Sequence, residues 1–232
     1  MLQAIVFDLD GTLYDYDPAH AAGFAAVTVW AGENFGLAPE AFRALHREGD
    51  RLLRSRAGES VAAIHSRLLR YQLMCELIGR PIVHAPRMAE RYWTGFLREV
   101  KPEPGTRETL LKLREQGYRV GVGTNMTAGR QYEKLERLGL LDALDFLVTS
   151  EEVSAEKPDA RLFACCAQKA GCEAAACLFV GDDAEKDVWG AHRAGMRTVY
   201  LARKDELPDL PAGTAVIRHI PELLERGVMD AL

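Results

Sequence analysis

Two aspartates separated by a single residue stand at the end of a short apolar run near the amino terminus. The run Ala4–Phe7 is followed by Asp8 and Asp10, and then by Gly11 and Thr12. Two carboxylates this close can bind a divalent cation, or one can act as a nucleophile while the other transfers protons. An ordinary strand that ends in an Asp-Gly turn would show the same local pattern. The motif alone leaves these alternatives open, and the surrounding elements must decide between them.

Polar residues also follow two later apolar runs, with Thr124 and Asn125 after the first and Asp182 after the second. Such runs alternate with amphipathic segments from residue 106 onward, which is typical of an α/β fold. One of these segments predicts a helix at 184–194, and residues 221–226 are expected to form a last helical turn or two. We predict a Rossmann-like three-layer core with a mostly parallel sheet and right-handed connections. Because parallel strands end at one edge of a sheet, these polar residues are expected to lie beside Asp8 and Asp10.

The stretch between the first and second motifs has a different character. Helical periodicity prevails from residue 15 to residue 100, and no strand pattern occurs. Pro39 and Gly79 mark breaks between about four helices, of which the second is predicted at about 40–56 and the third at 60–78. The proline-rich segment Lys101–Gly105 closes this stretch. The sequence therefore predicts a helical domain at 15–100 inserted into a core domain formed by 1–14 and 101–232.

Composition narrows the class of protein. The chain has 232 residues and a formal net charge of −5, which disfavours a nucleic acid polymer as partner. No apolar run is long enough to span a bilayer, and Asp8 interrupts the first run before it could form a signal peptide. The five cysteines lack metal-binding spacing, which favours reduced thiols. We expect a cytoplasmic protein without a membrane partner, either a monomer or a weak homodimer.

Four motifs, taken in order, resemble those of the haloacid dehalogenase (HAD) superfamily of aspartate-nucleophile hydrolases. They are the Asp8–Thr12 segment, the strand-end Thr124, Lys157 before Pro158, and a G-D-x-x-x-x-D segment from Gly181 to Asp187. The helical insert resembles the C1-type cap of this superfamily. Residues 124–163 are similar to the pyrimidine 5′-nucleotidase branch of house-cleaning phosphatases, which also includes sugar-phosphate phosphatases.

The resemblance implies a Mg²⁺-dependent phosphatase that hydrolyses a small phosphomonoester metabolite, a nucleotide or a sugar phosphate, through an aspartyl-phosphate. Asp8 would be the nucleophile, and Asp10 would protonate the leaving oxygen and then deprotonate water. This division of labour requires neighbours that raise the pKa of Asp10 above that of Asp8. Thr124 would bind the phosphate through its hydroxyl, helped by the backbone amides of Asn125 and Met126.

Lys157 would act in catalysis and in phosphate binding, because its charge can stabilise both the phosphate and Asp8. Asp8, Asp182 and the backbone carbonyl of Asp10 would hold the metal, and this oxygen ligand set suits Mn²⁺ as well as Mg²⁺. Asp187 would not bind the metal directly. It would form hydrogen bonds either with Lys157 or with water molecules bound to the metal.

Several alternatives stay open. Thr124 could be a structural strand-end hydroxyl, and Asp182 or Asp183 could cap the next helix, which is the favoured role for Asp183. An acid at Asp10 favours phosphoryl transfer over dehalogenation, in which the halide leaves without protonation. A phosphomutase of the β-phosphoglucomutase type would use the same residues. A non-catalytic protein that binds phosphorylated metabolites would keep the same fold.

The helical insert carries a further polar pattern. Four arginines share one face of its second predicted helix: Arg43, Arg47, Arg51 and Arg54. Pairing with Glu48 and Asp50 favours a solvated face over a substrate site. His20 follows the first motif closely, so it is a weaker candidate for contact with the substrate.

Overall fold

The computed structural model describes residues 1–225, and internal contacts divide the chain into two units. One unit contains residues 1–15 together with the described part of 101–232, and the other contains residues 16–100. Residues 226–232 of the predicted core domain lie outside the described residues, as does Arg226 at the end of a predicted final helical turn. Within the described residues, that turn is a 3₁₀ helix at Ile220–Leu224.

The first unit, called the sheet unit, is built on six strands that pair in parallel throughout the described residues, in the order β3-β2-β1-β4-β5-β6. The strands are β1 (Ala4–Phe7), β2 (Arg119–Thr124), β3 (Phe146–Thr149), β4 (Cys177–Gly181), β5 (Arg197–Leu201) and β6 (Ala215–Ile217). The predicted Rossmann-like α/β fold is confirmed, and its sheet is parallel rather than only mostly so.

Strand β1 occupies the middle of this sheet because its residues are apolar on both faces. All four of its side chains are fully buried, as expected for a parallel strand covered on both sides. Phe7 lies opposite Val122 of β2 and Val180 of β4, so the three strands end at nearly the same level. This register brings the residues after β1, β2 and β4 together at one edge.

Helices connect the strands of the sheet unit. They are α5 (Thr106–Glu115), α6 (Ala128–Leu138), α7 (Ser150–Val153), α8 (Ala160–Ala170) and α9 (Gly190–Arg193), with 3₁₀ turns at Leu141–Ala143 and Ala174–Ala176. The helix predicted at 184–194 is different: Ala184–Trp189 forms a π-helical turn that precedes α9. The backbone amide of Val188 donates to the carbonyl of Asp183 at 3.3 Å, which is the wide i to i−5 bond of that turn.

The second unit, called the helical unit, contains α1 (Tyr16–Phe35), α2 (Pro39–Ala57), α3 (Arg67–Leu77) and α4 (His84–Glu99), and no strand falls within residues 16–100. The third predicted helix, 60–78, is shorter than expected because a 3₁₀ turn at Ala62–His65 precedes it. Ser66 then caps α3 by accepting a hydrogen bond from the amide of Leu69 at 3.2 Å. In the described chain, no helix is long and apolar enough to cross a membrane.

Candidate active site

A buried lysine lies between two carboxylates at the carboxyl edge of the sheet. Lys157 Nζ donates to Asp8 Oδ1 at 2.5 Å and to Asp187 Oδ1 at 2.7 Å. Asp8 follows the central strand, Lys157 precedes α8, and Asp187 projects from the π-helical turn. Lys157 and Asp8 are only 5% and 6% exposed, and a charge this deeply buried must be paired. The arrangement fixes the carboxylate of Asp8 beside a permanent positive charge.

Asp182 forms the second side of the site. Its Oδ1 accepts a hydrogen bond from the hydroxyl of Thr12 at 2.8 Å. Gly11 adopts a φ of +89°, and a Cβ there would lie 2.8 Å or less from both carboxylate oxygens of Asp182. A glycine is therefore required at this turn both by the backbone conformation and by the closeness of Asp182.

The carboxylates of Asp8, Asp182 and Asp187 each offer an oxygen, and these oxygens lie within 4.8 Å of one another. Hard divalent cations such as Mg²⁺ prefer oxygen ligands of this kind, so the donor set fits such an ion. The predicted ligands Asp8 and Asp182 are thus brought together. Asp187, predicted as a supporting residue, holds Lys157 and also lies within reach of the same centre.

The electrostatics of the cluster agree with a place for a cation. Burial raises the pKa of Asp8 to about 7 against the opposing effect of Lys157, and the charges of Asp187 and Asp10 add to the rise. Burial and the charge of Asp8 raise the pKa of Asp182 to about 6. Burial also raises the pKa of Asp187, although Lys157 opposes this. The three carboxylates repel one another, and a divalent cation would relieve that repulsion.

Asp10 has a separate and unexpected partner. Lys134 Nζ lies 2.7 and 2.8 Å from its two carboxylate oxygens, and the hydroxyl of Tyr14 also donates to Oδ1. Although burial alone would raise the pKa of Asp10, the charge of Lys134 and the hydrogen bonds from Lys134, Tyr14 and Gln131 lower it. The expectation that neighbours raise the pKa of Asp10 above that of Asp8 is therefore wrong for this structure, because a fully buried lysine favours the ionised form.

Gln131 connects the phosphate-binding candidates to Asp10. Its Nε2 donates to Thr124 Oγ1 at 2.8 Å, to the carbonyl of Asn125 at 2.8 Å and to Asp10 Oδ2 at 3.2 Å. Asn125 in turn accepts a hydrogen bond from the backbone amide of Lys157 through Oδ1 at 2.8 Å. These bonds hold the ends of β1 and β2 and the start of the Lys157 segment in one network.

The loop predicted to bind phosphate forms hydrogen bonds within the protein, and the phosphate-binding role of Thr124 stays a prediction. Thr124 is 1% exposed, and its hydroxyl donates to the carbonyl of Asn125 at 3.3 Å. The backbone amide of Met126, predicted to contact phosphate, instead donates to Ser150 Oγ at 2.8 Å, because a φ of 105° turns this residue toward α7. That part of the prediction is wrong in this conformation.

The capping role favoured for Asp183 is confirmed. Its carboxylate accepts hydrogen bonds from the amides of Glu185 at 3.1 Å and Lys186 at 2.9 Å. This cap fixes the beginning of the π-helical turn. The turn then carries Asp187 back toward Lys157 rather than outward to solvent.

Sequence reasoning missed Lys134, Gln131 and Tyr14. Both α6 residues are fully buried, and they stand three positions apart on the apolar face that also carries Leu135 and Leu138. Two polar residues within a predicted apolar stripe were the available signal, because such groups need buried partners. The partner itself, Asp10, is 124 positions away from Lys134 in the chain, and only the fold brings the two together.

Comparison with known proteins gives a consistent family. A model of haloacid dehalogenase-like hydrolases matches residues 2–195. A ribulose-1,5-bisphosphate 5-phosphatase of Halopiger xanaduensis is 37% identical over 209 residues, which cover 89% of this chain and 87% of the relative. A glyceraldehyde 3-phosphate phosphatase of Methanothermobacter thermautotrophicus is 33% identical over 232 residues, with 97% and 99% coverage.

Solved structures agree with this fold. The crystal structure of an HAD phosphatase from Thermococcus onnurineus aligns with a TM-score of 0.73 over 96% of each chain, at 24% sequence identity. At this identity the match supports the fold, and it leaves the substrate to be argued from the site.

Proposed function

The chain belongs to the haloacid dehalogenase-like hydrolases and is a phosphomonoester hydrolase, and we propose that it works through an aspartyl-phosphate on Asp8. The observation that carries the proposal is the placement of Asp8, buried at the end of the central strand and hydrogen-bonded to Lys157 at 2.5 Å. A carboxylate held in this way is positioned to attack phosphorus, and the charge of Lys157 can stabilise the added negative charge.

Asp10 transfers the protons in this proposal. The pair with Lys134 keeps Asp10 as a carboxylate, which is the form that takes a proton from the water that hydrolyses the aspartyl-phosphate. In the first step the same carboxyl must donate a proton to the leaving oxygen. The negative charge of a bound phosphate works against the Lys134 pair and favours that protonated form.

The remaining residues bind and orient the substrate. Thr124 and Asn125 hold the phosphate at the end of β2, and Gln131 fixes both of them. Asp8 and Asp182 would hold Mg²⁺ together with the carbonyl of Asp10 that the family resemblance implies, and Asp187 lies close enough to assist them. When bound, the metal supplies positive charge that neutralises the phosphate and the three clustered carboxylates.

The substrate class is inferred from the relatives. Two relatives matched over most of their length are named as phosphatases of ribulose 1,5-bisphosphate and glyceraldehyde 3-phosphate. We infer that this enzyme takes a small phosphorylated metabolite of that kind, in the cytoplasm, with phosphorylated sugars ahead of nucleotides. The helical unit would act as the C1-type cap of the family and select among them.

The test is phosphate release from a panel of sugar phosphates, triose phosphates and nucleotides, with Mg²⁺ or with a chelator. The wild-type protein should release phosphate only with Mg²⁺, and Asp8→Asn should reduce the release to background. Asp142→Asn is the matched control, since Asp142 is exposed and pairs only with the exposed Arg107 among the described residues. Release that survives Asp8→Asn would refute the proposal. No release of phosphate, together with isomerisation of a sugar phosphate only when a sugar bisphosphate is added, would instead identify a phosphomutase.

A further inference from the structure

The helical unit contains a polar cavity of its own. Its volume is about 530 Å³, and its wall is formed by residues of α1, α2, α3 and the 3₁₀ turn before α3. Five arginines and three histidines line it, against the single carboxylate of Asp50. Three of these arginines are Arg47, Arg51 and Arg54, which lie on the face of α2 that was predicted to be solvated. Arg51 and Arg54 also pair with Glu48 and Glu59 beside the wall, and the remaining arginines leave the cavity with an excess of positive charge.

Arg67 is the most unusual residue in this wall. It is 5% exposed, and its hydrogen bonds go to neutral oxygens: the hydroxyls of Tyr16 and Tyr92, both at 3.2 Å, and the carbonyl of His65 at 3.3 Å. Its guanidinium also lies 4.7 Å from the centre of the Tyr92 ring. Within residues 1–225 no carboxylate forms an ion pair with Arg67, and its Nε has no hydrogen-bond partner. A buried guanidinium without a counter-ion is costly unless an anion joins it.

Arg70 stands one helical turn further along α3, on the same side. It is also 5% exposed and pairs with Asp50, but Asp50 is shared with Arg54 at 2.9 Å. The Nε of Arg70, like that of Arg67, finds no acceptor in the described part of the chain. Asp50 therefore serves two arginines, of which Arg54 also pairs with Glu59 at 3.0 Å. Arg67 remains without an acidic partner among residues 1–225.

A neighbouring histidine reports the same excess of charge. Burial and the charges of Arg70 and Arg67 together lower the pKa of His46 to about 3, and Asp50 opposes them only in part. Its Nε2 is buried and makes no hydrogen bond to any described residue. A neutral imidazole in this position can donate one hydrogen bond to an anion without adding charge.

We propose that this cavity is a binding site for a phosphoryl group, with Arg67 as the principal ligand and with Arg70 and His46 as supporting donors. Guanidinium groups bind phosphate oxygens through planar paired hydrogen bonds, and the two free Nε groups supply such donors at a buried position. A dianion here would also balance the unpaired charge of Arg67. The phosphoryl group belongs either to the substrate, as a second anionic group, or to a separate metabolite. Only the first of these sources rests on the proposed function.

The binding test uses the full-length protein in a chelator, with inorganic phosphate as the probe. The Nε–H resonance of Arg67 in wild-type protein, identified by its loss in Arg67→Lys, should shift saturably as phosphate is added. The affinity for phosphate can be obtained from how much phosphate stabilises the protein against thermal unfolding. This affinity should be about tenfold to a hundredfold weaker in Arg67→Gln, as expected for the loss of a hydrogen bond to a charged group. Arg43→Gln is the matched control, because Arg43 lies on α2 outside the cavity and pairs with Glu40.

A kinetic arm separates the two sources. If the group belongs to the substrate, Arg67→Gln should lower kcat/KM for a sugar bisphosphate by about tenfold to a hundredfold and leave a simple aryl phosphate unaffected. If the group belongs to another metabolite, Arg67→Gln should lose phosphate binding, and its kcat/KM should change by the same factor for the sugar bisphosphate and for the aryl phosphate. An Arg67 resonance that phosphate does not shift saturably overturns the proposal, even if Arg67→Gln fails to fold. A protein that binds phosphate here but turns over nothing would refute the proposed function and keep this site.

Discussion

The two aspartates of the first motif are distinguished by their lysines. Asp8 shares Lys157 with Asp187, whereas Asp10 has Lys134 and two neutral donors. Both lysines are almost completely buried, so each ion pair lies in a medium where charges interact more strongly than in water. This separation gives one carboxylate a raised pKa and the other a lowered pKa, although only one residue lies between them.

Lys134→Met tests whether Asp10 depends on its partner. The substitution leaves a buried carboxylate without its cation, so we expect kcat to fall by about a hundredfold or more, since proton transfer contributes that much to catalysis. Asp10 would also lose its fixed position. The measurement is steady-state phosphate release, compared with Lys134→Arg and with Lys204→Met, an exposed lysine whose loss changes the net charge equally. An unchanged kcat in Lys134→Met would show that the pair is only structural.

Whether each lysine could be predicted from the sequence depended on the residues next to it in the chain. Lys157 could be found from the sequence because it precedes a proline at a helix start, in a motif with a family resemblance. Lys134 sits within an ordinary amphipathic helix, and nothing near it in the chain indicates that Asp10 is its partner. The pKa of Asp10 was therefore predicted in the wrong direction, since the group that decides it is remote in sequence.

At the scale of elements, the π-helical turn after β4 positions Asp187. Gly181 ends β4, and a Cβ on this residue would clash with the carboxylate of Asp187. The helix predicted at 184–194 could not show this turn, because the wide backbone bond depends on the Asp183 cap and on packing rather than on apolar periodicity. Close packing between β4 and the π-helical turn therefore requires a glycine at position 181.

Gly181→Ala should displace Asp187 from Lys157 and reduce phosphate release, with a loss of stability of roughly 1–3 kcal/mol typical of overpacking. Gly129→Ala is the matched control, because Gly129 lies in α6 with nothing within 4 Å of an added Cβ. That change should stabilise the protein by about 0.5–1 kcal/mol, since alanine is the better helix former. Activity assays and urea unfolding of both variants provide the measurement. Equal behaviour of the two variants would contradict this view of Gly181.

His46 should make the helical unit sensitive to acid. Its pKa falls from an ordinary 6.5 to about 3 on folding, so between these values the unfolded chain binds a proton that the folded chain does not. Stability therefore decreases as the pH falls below 6.5, by up to about 2 kcal/mol between pH 7 and pH 5. Urea unfolding in a buffer free of phosphate and sulfate should show a smaller loss for His46→Asn than for wild-type protein. Identical losses would show that His46 keeps its ordinary pKa.

At the scale of the whole molecule, the sheet order explains why the site forms where it does. β1 pairs with β2 on one side and β4 on the other, so three strands separated by long stretches of sequence end together. The alternation of strands and helices was enough to predict this edge and most of the residues on it. The apolar runs show which segments are strands, including the short edge strand β6. The parallel direction of β6 and the charged cavity in the helical unit depend on tertiary contacts that the sequence does not display.

A pair of valine substitutions tests the central position of β1. Val6 is fully buried in that strand, whereas Val216 is 39% exposed in β6 at the sheet edge. Val6→Asp should prevent cooperative folding, because an unpaired buried carboxyl costs several kcal/mol out of a total stability of roughly 5–15 kcal/mol. Val216→Asp should change stability much less. Circular dichroism during thermal unfolding would detect the difference, and a stable Val6→Asp variant would contradict the sheet order.

The central claim is that Asp8 is the nucleophile, and the stereochemistry at phosphorus tests it most directly. The measurement is hydrolysis, with Mg²⁺ present, of a phosphorothioate analogue of the best substrate that is made chiral at phosphorus by one heavy oxygen isotope. The reaction runs in water that carries the third oxygen isotope, and the configuration of the thiophosphate product is determined. Transfer to Asp8 and then to water consists of two displacements, each of which inverts the phosphorus centre. Net retention of configuration at phosphorus is therefore expected. Net inversion would show a single attack by water on the substrate, and it would contradict an aspartyl-phosphate on Asp8.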